Sequence, residues 1–124
     1  ELLRWTSPAQ RPPPRWVYED IKLGGQLIRR GEAIQPMVGS ANRDPAVFSD
    51  PERIDVTRSP NPHLGFGGGV HRCVGSSLAR VQGRVVFAEV AKRFPNLRFD
   101  DSAQLHYLDR LTVRALTNLP VFVS

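Results

Sequence analysis

Only one stretch of this chain has the spacing of a long helix, and it lies at about residues 74–94. Apolar residues recur there at intervals of three and four, which places them on one face of an α-helix: Val74, Leu78, Val81, Val85 and Ala88. Pro95 ends the pattern, because proline cannot continue a helix. Elsewhere eleven prolines and eight of the ten glycines divide the sequence into short pieces. The chain is therefore predicted to be α+β, with one long helix and short β-hairpins.

Turn-forming residues predict the elements of the first half. Residues 1–5 are expected to be the end of a helix. Within residues 16–38 the pair Gly24-Gly25 is a hairpin turn signal, so short β-hairpins are predicted there. A short helix is expected through Phe48, with Ser40 or Asn42 as its cap, because both residue types favour that position.

The second half surrounds the long helix with loops and short strands. Residues 49–65 are rich in Pro, Asp and Asn and have no period, which predicts a long loop. Residues 66–75 form a glycine-rich loop that holds the only cysteine. Three short strands are predicted within residues 97–124.

Charge and composition exclude several classes of protein. Lys and Arg number 17 against 12 Asp and Glu, a net charge of +5, but the charges are scattered. They indicate either a solvated surface or an anionic partner, and no nucleic-acid motif accompanies them. No apolar run approaches the ~20 residues of a membrane span. A single cysteine excludes an internal disulfide framework and favours a reducing, cytoplasmic setting.

The segment "FGGGVHRCVG" places Cys73 at the predicted start of the long helix. Helix amides favour a thiolate there, and Gly67–Gly69 allow backbone amides to crowd the sulfur or lie beneath a planar ligand. The thiol could instead be a small buried side chain at a loop–helix junction. A nucleophile needs a base, but His71 is only two residues away and no protease signature is present. A zinc site needs about four ligands, whereas one thiolate suffices to hold haem iron.

The same segment resembles the haem-binding signature of the cytochrome P-450 superfamily, Phe-Gly-x-Gly-x-(His or Arg)-x-Cys-x-Gly. Its fixed positions are Phe66, Gly67, Gly69, His71, Cys73 and Gly75. "ELLR" supplies the family's Glu-x-x-Arg pair on its K helix as Glu1 and Arg4, and the resemblance covers essentially residues 1–124. It implies the C-terminal, haem-binding portion of the mainly-α fold of a bacterial-type monooxygenase, with residues 49–65 as the family's meander.

The resemblance assigns roles around a haem b cofactor. It implies that Cys73 is the axial thiolate ligand of the iron, and that Phe66 shields the sulfur. His71 is implied to hydrogen-bond a haem propionate. Arg15 is the candidate for a second propionate contact, and Arg11 is the alternative because the proline stretch shifts the spacing by one residue. Beyond the iron ligand, no catalytic residue is expected within this chain.

Two further sets of residues follow from the resemblance. Glu1, Arg4 and Arg53 are expected to form a structural Glu-Arg-Arg network that ties the K helix to the meander. A basic face for an acidic ferredoxin or flavodoxin, or alternatively a solvated surface, is expected from Arg72, Arg80 and Arg84.

The expected activity of the parent protein is insertion of one oxygen atom of O2 into a small organic substrate. Because "ELLRW" opens without a methionine or a signal-peptide layout, the chain is expected to be incomplete, and not catalytically competent without an N-terminal portion. Two alternatives remain open. The chain could be a remnant or split subunit that docks on an N-terminal partner, or a small free-standing haem-thiolate protein.

Overall fold

The computed structural model describes residues 1–123 and contains short elements around one long helix. The elements in chain order are α1 (Leu2–Thr6), β1 (Arg15–Trp16), β2 (Ile21–Leu23), β3 (Gln26–Ile28), β4 (Ala33–Ile34), α2 (Val38–Ala41), a 3-10 turn (Gly69–His71), α3 (Ser76–Arg93), β5 (Arg98–Phe99) and β6 (Val121–Phe122). The predicted α+β class is confirmed. Within the described residues, no helix combines the length and apolar character needed to cross a membrane.

All the strand pairs are antiparallel and short. β1 pairs with β4, β2 with β3, and β5 with β6. The β2–β3 hairpin turns at Gly24 and Gly25, whose φ angles of 55° and 81° are both positive. A type I′ turn requires positive φ at both central positions, so the Gly-Gly pair fixes this hairpin locally.

The helices differ in position from their sequence predictions. The long helix α3 runs over Ser76–Arg93, slightly inside the predicted 74–94. The short helix predicted over residues 40–48 is wrong: α2 occupies Val38–Ala41 and ends near where that helix should begin. Asn42, one of its predicted caps, instead donates from its side-chain amide to Ser7 Oγ at 2.8 Å.

The first of two compact units comprises residues 1–65 and 110–114. Its buried apolar side chains are Val17, Val38 and Phe48. The fully buried side chains there are polar, because Arg4 and Asn42 each have 0% exposure. This unit is therefore organised around a buried charged group as much as around an apolar core.

The second unit comprises residues 66–109 and, within the described part of the chain, 115–123. α3 is its main element, and the buried residue of that helix is Ser76. Its apolar side chains Leu78, Val81, Val85 and Phe87 are 56–62% exposed. The apolar face predicted from the sequence is thus present as an open surface.

Candidate functional site

Cys73 lies between the 3-10 turn and α3, with a free and exposed thiol. Its main-chain N–H donates to the carbonyl oxygen of Phe66 at 2.8 Å, and its own carbonyl accepts from the N–H of Ser76 at 3.2 Å. The first bond closes the loop behind the cysteine, and the second joins the cysteine to the first residue of the helix. The main chain of Cys73 is therefore fixed on both sides, while its thiol is exposed.

The glycines of the loop have unequal roles. Gly67 has φ +68°, and a Cβ there would lie 3.2 Å from the carbonyl oxygen of His71. Gly69 has φ +58°, but a Cβ would meet nothing within 4 Å. Gly68 is extended, with φ −153°. Gly67 is therefore the position where both the backbone angle and the close approach of another main-chain segment favour glycine.

The surroundings of the thiol suit a flat apolar group bound through one metal–sulfur bond. Val70 and Val74, on either side of Cys73 in the sequence, are 97% and 102% exposed. Within residues 1–123 no group of three or more His, Cys, Asp or Glu is arranged to hold a metal ion. Gly75 lies next to the sulfur, since a Cβ there would be 3.8 Å from Sγ, in ordinary van der Waals contact. A single cysteine thiolate is one of the donors by which proteins hold haem iron.

The predicted propionate ligands lie in different units. His71 is exposed at the end of the 3-10 turn in the second unit. Arg15, in β1, and Arg11, which precedes it, are exposed in the first unit. Both arginines are accessible to a carboxylate, so the choice between them stays a prediction.

Arg4, on α1, is fully buried and organises the first unit. Its Nε and one terminal nitrogen donate to the two carboxylate oxygens of Glu1 at 2.8 and 2.7 Å. It also donates to three main-chain carbonyl oxygens at 2.8 to 3.1 Å, those of Asn42, Pro51 and Arg53. Such a bidentate pair supplies geometry as well as charge. Arg4 therefore connects α1 to the loop that follows α2.

Arg58 takes the place that the sequence analysis gave to Arg53. Its Nε donates to Glu1 at 3.3 Å, and its terminal nitrogens reach the carbonyls of Ser49, Asp50 and Arg53. The Arg53 side chain is exposed, and this residue contributes its carbonyl oxygen to Arg4 and Arg58. The third member of the network is therefore corrected from Arg53 to Arg58. Arg53 bonds to Arg4 through its main-chain carbonyl oxygen and not through its guanidinium.

Two asparagines that the sequence did not identify as members also belong to this network. Asn61 donates to Glu1 at 3.1 Å, and the buried Asn42 accepts through its side-chain oxygen from the N–H of Leu64 at 2.7 Å. Both stand in turn-rich segments where asparagine ordinarily indicates a turn, so no periodic signal could have identified them.

The hydrogen bonds from Arg4 hold the pKa of the Glu1 carboxyl well below its ordinary value of 4.5, although burial acts in the opposite direction. In turn, Glu1 raises the pKa of Arg4. The network is therefore an ion pair throughout the physiological range. Asp55 also has a lowered pKa, chiefly because the Thr57 hydroxyl donates to it.

The three arginines predicted as a partner face are exposed on or near α3. They do not have equivalent surroundings. The guanidinium carbon of Arg80 lies 5.2 Å from the centroid of the Phe66 ring. Arg80 is thus engaged with the cysteine loop itself, while Arg72 and Arg84 present their charge at the surface.

Comparisons with known proteins agree on one family. A family model described as Cytochrome P450 matches residues 1–113. The chain is 42% identical over 128 residues to the polyketide biosynthesis cytochrome P450 PksS of Bacillus subtilis, covering 100% of this chain and 31% of that protein. It is 45% identical over 121 residues to the biotin biosynthesis cytochrome P450 of the same organism, covering 98% and 30%.

Solved structures give the same result. The structure of P450BioI in complex with an acyl carrier protein ligated to hexadec-9Z-enoic acid matches with a TM-score of 0.93 and 43% identity, over 98% of this chain and 31% of that one. CYP109E1 from Bacillus megaterium in complex with testosterone matches with a TM-score of 0.92 and 37% identity, over 98% and 34%. The chain therefore spans about a third of the length of the relatives that it matches.

Proposed function

Because the chain belongs to the cytochrome P450 family, we propose that it carries the haem-binding part of a P450 monooxygenase, with Cys73 as the axial thiolate ligand of haem b. The observation that carries this proposal is the exposed thiol of Cys73, fixed through its N–H to the Phe66 carbonyl at 2.8 Å. The valines near this thiol in the sequence, Val70 and Val74, are exposed as well. The P450 haem-binding signature covers residues 66–75, the same residues that form this loop.

The residues of this chain would bind and orient the cofactor. The main-chain bonds of Cys73 would fix the position of the ligand residue, whose thiol is exposed, and Phe66 is assigned the role of shielding the sulfur. His71 and either Arg15 or Arg11 hold the propionates through charge-assisted hydrogen bonds. When bound, haem supplies the O2 chemistry of a monooxygenase: one oxygen atom enters an organic substrate, and the other leaves as water with two protons and two electrons.

We assign the remaining two thirds of the fold to an N-terminal portion of the same protein, which would cover the apolar side chains of α3. The 56–62% exposure of Leu78, Val81, Val85 and Phe87 supports this assignment, as does the length of the relatives. Without that portion the haem face opposite Cys73 would be open to water, so this chain alone would not be catalytically competent. The alternative, a split subunit that docks on a separate N-terminal chain, would bury the same surface. The gene sequence upstream of Glu1 distinguishes the two proposals. A reading frame continuous with Glu1 supports one protein, and a separate reading frame for the missing helices supports a split subunit.

Electrons would come from an acidic ferredoxin or flavodoxin bound near Arg72 and Arg84. The net charge of +5 supports an acidic partner, because opposite charges accelerate association. Replacing both arginines by glutamine should slow reduction by the partner and weaken its dependence on salt. The single cysteine favours a cytoplasmic location.

The decisive test is the absorption spectrum of the full-length protein, reduced and then exposed to carbon monoxide. Wild type should show the displaced Soret band of a thiolate-ligated ferrous–CO complex, and Cys73→Ser should lose it. Ser77→Ala is the matched control, because Ser77 is an exposed residue in the first turn of α3 and should leave the band unchanged. Absence of haem from wild type, or an unshifted band in Cys73→Ser, would refute the proposal.

A further inference from the structure

A buried asparagine of the first unit joins the end of α1 to the segment that leads into the cysteine loop. Asn42 follows α2 and has 0% exposure. Its side-chain nitrogen donates to Ser7 Oγ at 2.8 Å, and its side-chain oxygen accepts the N–H of Leu64 at 2.7 Å. We refer to these two hydrogen bonds as the Asn42 bridge. Both functional groups of the amide are used in it.

The end of the bridge at Ser7 has a fixed geometry. Ser7 follows α1 with a φ of 40°, in the left-handed region that is unfavourable for a residue with a Cβ. Its hydroxyl donates to the carbonyl oxygen of Arg4 at 2.7 Å and accepts the amide of Asn42. Because the hydroxyl proton is engaged with Arg4, Ser7 presents a lone pair to Asn42. The amide therefore has one orientation, with its oxygen toward Leu64.

The other end of the bridge holds the segment before the cysteine loop. The Leu64 side chain is exposed, so its main-chain bond to Asn42 is the contact that fixes this residue. The next residue, Gly65, lies so close to α1 that a Cβ there would be 3.1 Å from a carbonyl oxygen of that helix. Phe66 follows, and its carbonyl oxygen accepts the N–H of Cys73 at 2.8 Å. The bond that closes the loop is therefore made two residues after the bridge.

We infer that Asn42 is a positioning residue for the iron ligand, because it anchors the start of the cysteine loop to α1 through Ser7 and so keeps Cys73 in place as a thiolate ligand. This inference rests on the haem-thiolate function proposed above. A functional side chain must be held within about 0.5 Å of its productive position by the residues that support it. Without the bridge the start of the loop would move more freely, and the sulfur would leave the iron more often.

Two variants break the bridge at different points. Asn42→Leu keeps the approximate size of the side chain but leaves the Leu64 N–H and the Ser7 oxygen without this partner. Ser7→Ala keeps the bond to Leu64 but detaches the amide from α1. Loss of a buried hydrogen-bond partner is sufficient to shift an equilibrium about tenfold. Asn42→Leu should therefore have the larger effect on the loop, and Ser7→Ala a smaller one in the same direction.

The experiment uses the full-length haem protein and two measurements. Hydrogen exchange of the Leu64 amide, followed by mass spectrometry, should become about tenfold faster in Asn42→Leu. In the reduced carbon monoxide complex, the displaced Soret band should also be lost about tenfold faster. Val38→Ala is the matched control, since it removes buried apolar groups of the same unit and no bond of the bridge. It should lower the urea midpoint and leave both rates close to those of wild type.

The double variant Ser7→Ala/Asn42→Leu completes the test. If Ser7 acts through the amide, its replacement should change neither rate further once residue 42 is leucine. Unchanged exchange of Leu64 in Asn42→Leu, faster exchange with unchanged band loss, or equal band loss in Val38→Ala would overturn the inference and leave the haem-thiolate function standing. Should Asn42→Leu fail to fold, unchanged band loss in Ser7→Ala would overturn it. If wild type itself lacks the thiolate-type CO band, the proposed function fails, and this inference fails with it.

Discussion

Replacement of Glu1 by glutamine tests whether the buried ion pair holds the first unit together. Glutamine has nearly the same size but no charge, and its amide nitrogen cannot accept a hydrogen bond. Arg4 has 0% exposure, and the Glu1 side chain has 3%. The positive charge of Arg4 would therefore lose its counter-ion in a place that water does not reach.

The structure sets the expected magnitude. Removing one partner of a buried ion pair costs about 3–5 kcal/mol. Arg4 keeps its three bonds to main-chain carbonyl oxygens, and Arg58 remains nearby, so we expect the lower end, about 3 kcal/mol of the free energy of unfolding. The matched control is Arg93→Gln. It breaks the exposed pair with Glu89 at 2.9 Å, and such pairs contribute about 0.3–0.5 kcal/mol.

The assay is urea unfolding of the full-length protein at pH 7, followed by circular dichroism. With an m value of about 3 kcal/mol per molar urea, the Glu1→Gln midpoint should fall by about 1 M. The Arg93→Gln midpoint should stay close to that of wild type. If both variants unfold at the same urea concentration, the ion pair does not hold this unit, and the reasoning from its burial is wrong.

The remaining predictions concern acid and the cysteine loop. Because the folded-state pKa of Glu1 is lowered from 4.5, its contribution is complete above that value and is lost as the pH falls toward the folded-state value. The stability difference between wild type and Glu1→Gln should therefore narrow between pH 5 and pH 3, and a constant difference in urea midpoint would contradict the assigned pKa. Gly67→Ala should cost about 1–2 kcal/mol for the left-handed angle, plus the repulsion of a Cβ that lies 3.2 Å from the His71 oxygen. Gly69→Ala should incur the angular cost alone, so equal rates of haem loss from the two variants would argue against the close approach at Gly67.

Local signals predicted the parts of this fold that local forces determine. The turn at Gly24-Gly25 and the helix ended by proline both depend on a few adjacent residues. The cysteine signature predicted Cys73 in a loop before the helix, where the structure has it with an exposed thiol, and its role as an iron ligand stays a prediction. The bounds of the short strands could not be read from the sequence, because pairs such as Arg15–Trp16 with Ala33–Ile34 depend on long-range pairing.

Long-range contacts explain what the sequence did not reveal. Arg53 and Arg58 lie in the same aperiodic loop, and no spacing rule distinguishes the one that turns toward Glu1. Asn42 was predicted to cap a helix, yet tertiary bonds to Ser7 and Leu64 use its side chain. Arg80 was grouped with its neighbours as surface charge, since only the folded loop brings Phe66 beneath it.

The three carbonyl oxygens that surround Arg4 have a consequence for how this segment can change over time. The guanidinium contacts the main chain at positions 42, 51 and 53, and every amino acid presents the same carbonyl there. Many side chains along the loop can therefore be exchanged without disturbing the contact, whereas insertion or deletion of a single residue would move an oxygen out of reach. Divergent sequences can keep this architecture as long as they keep the length of the loop.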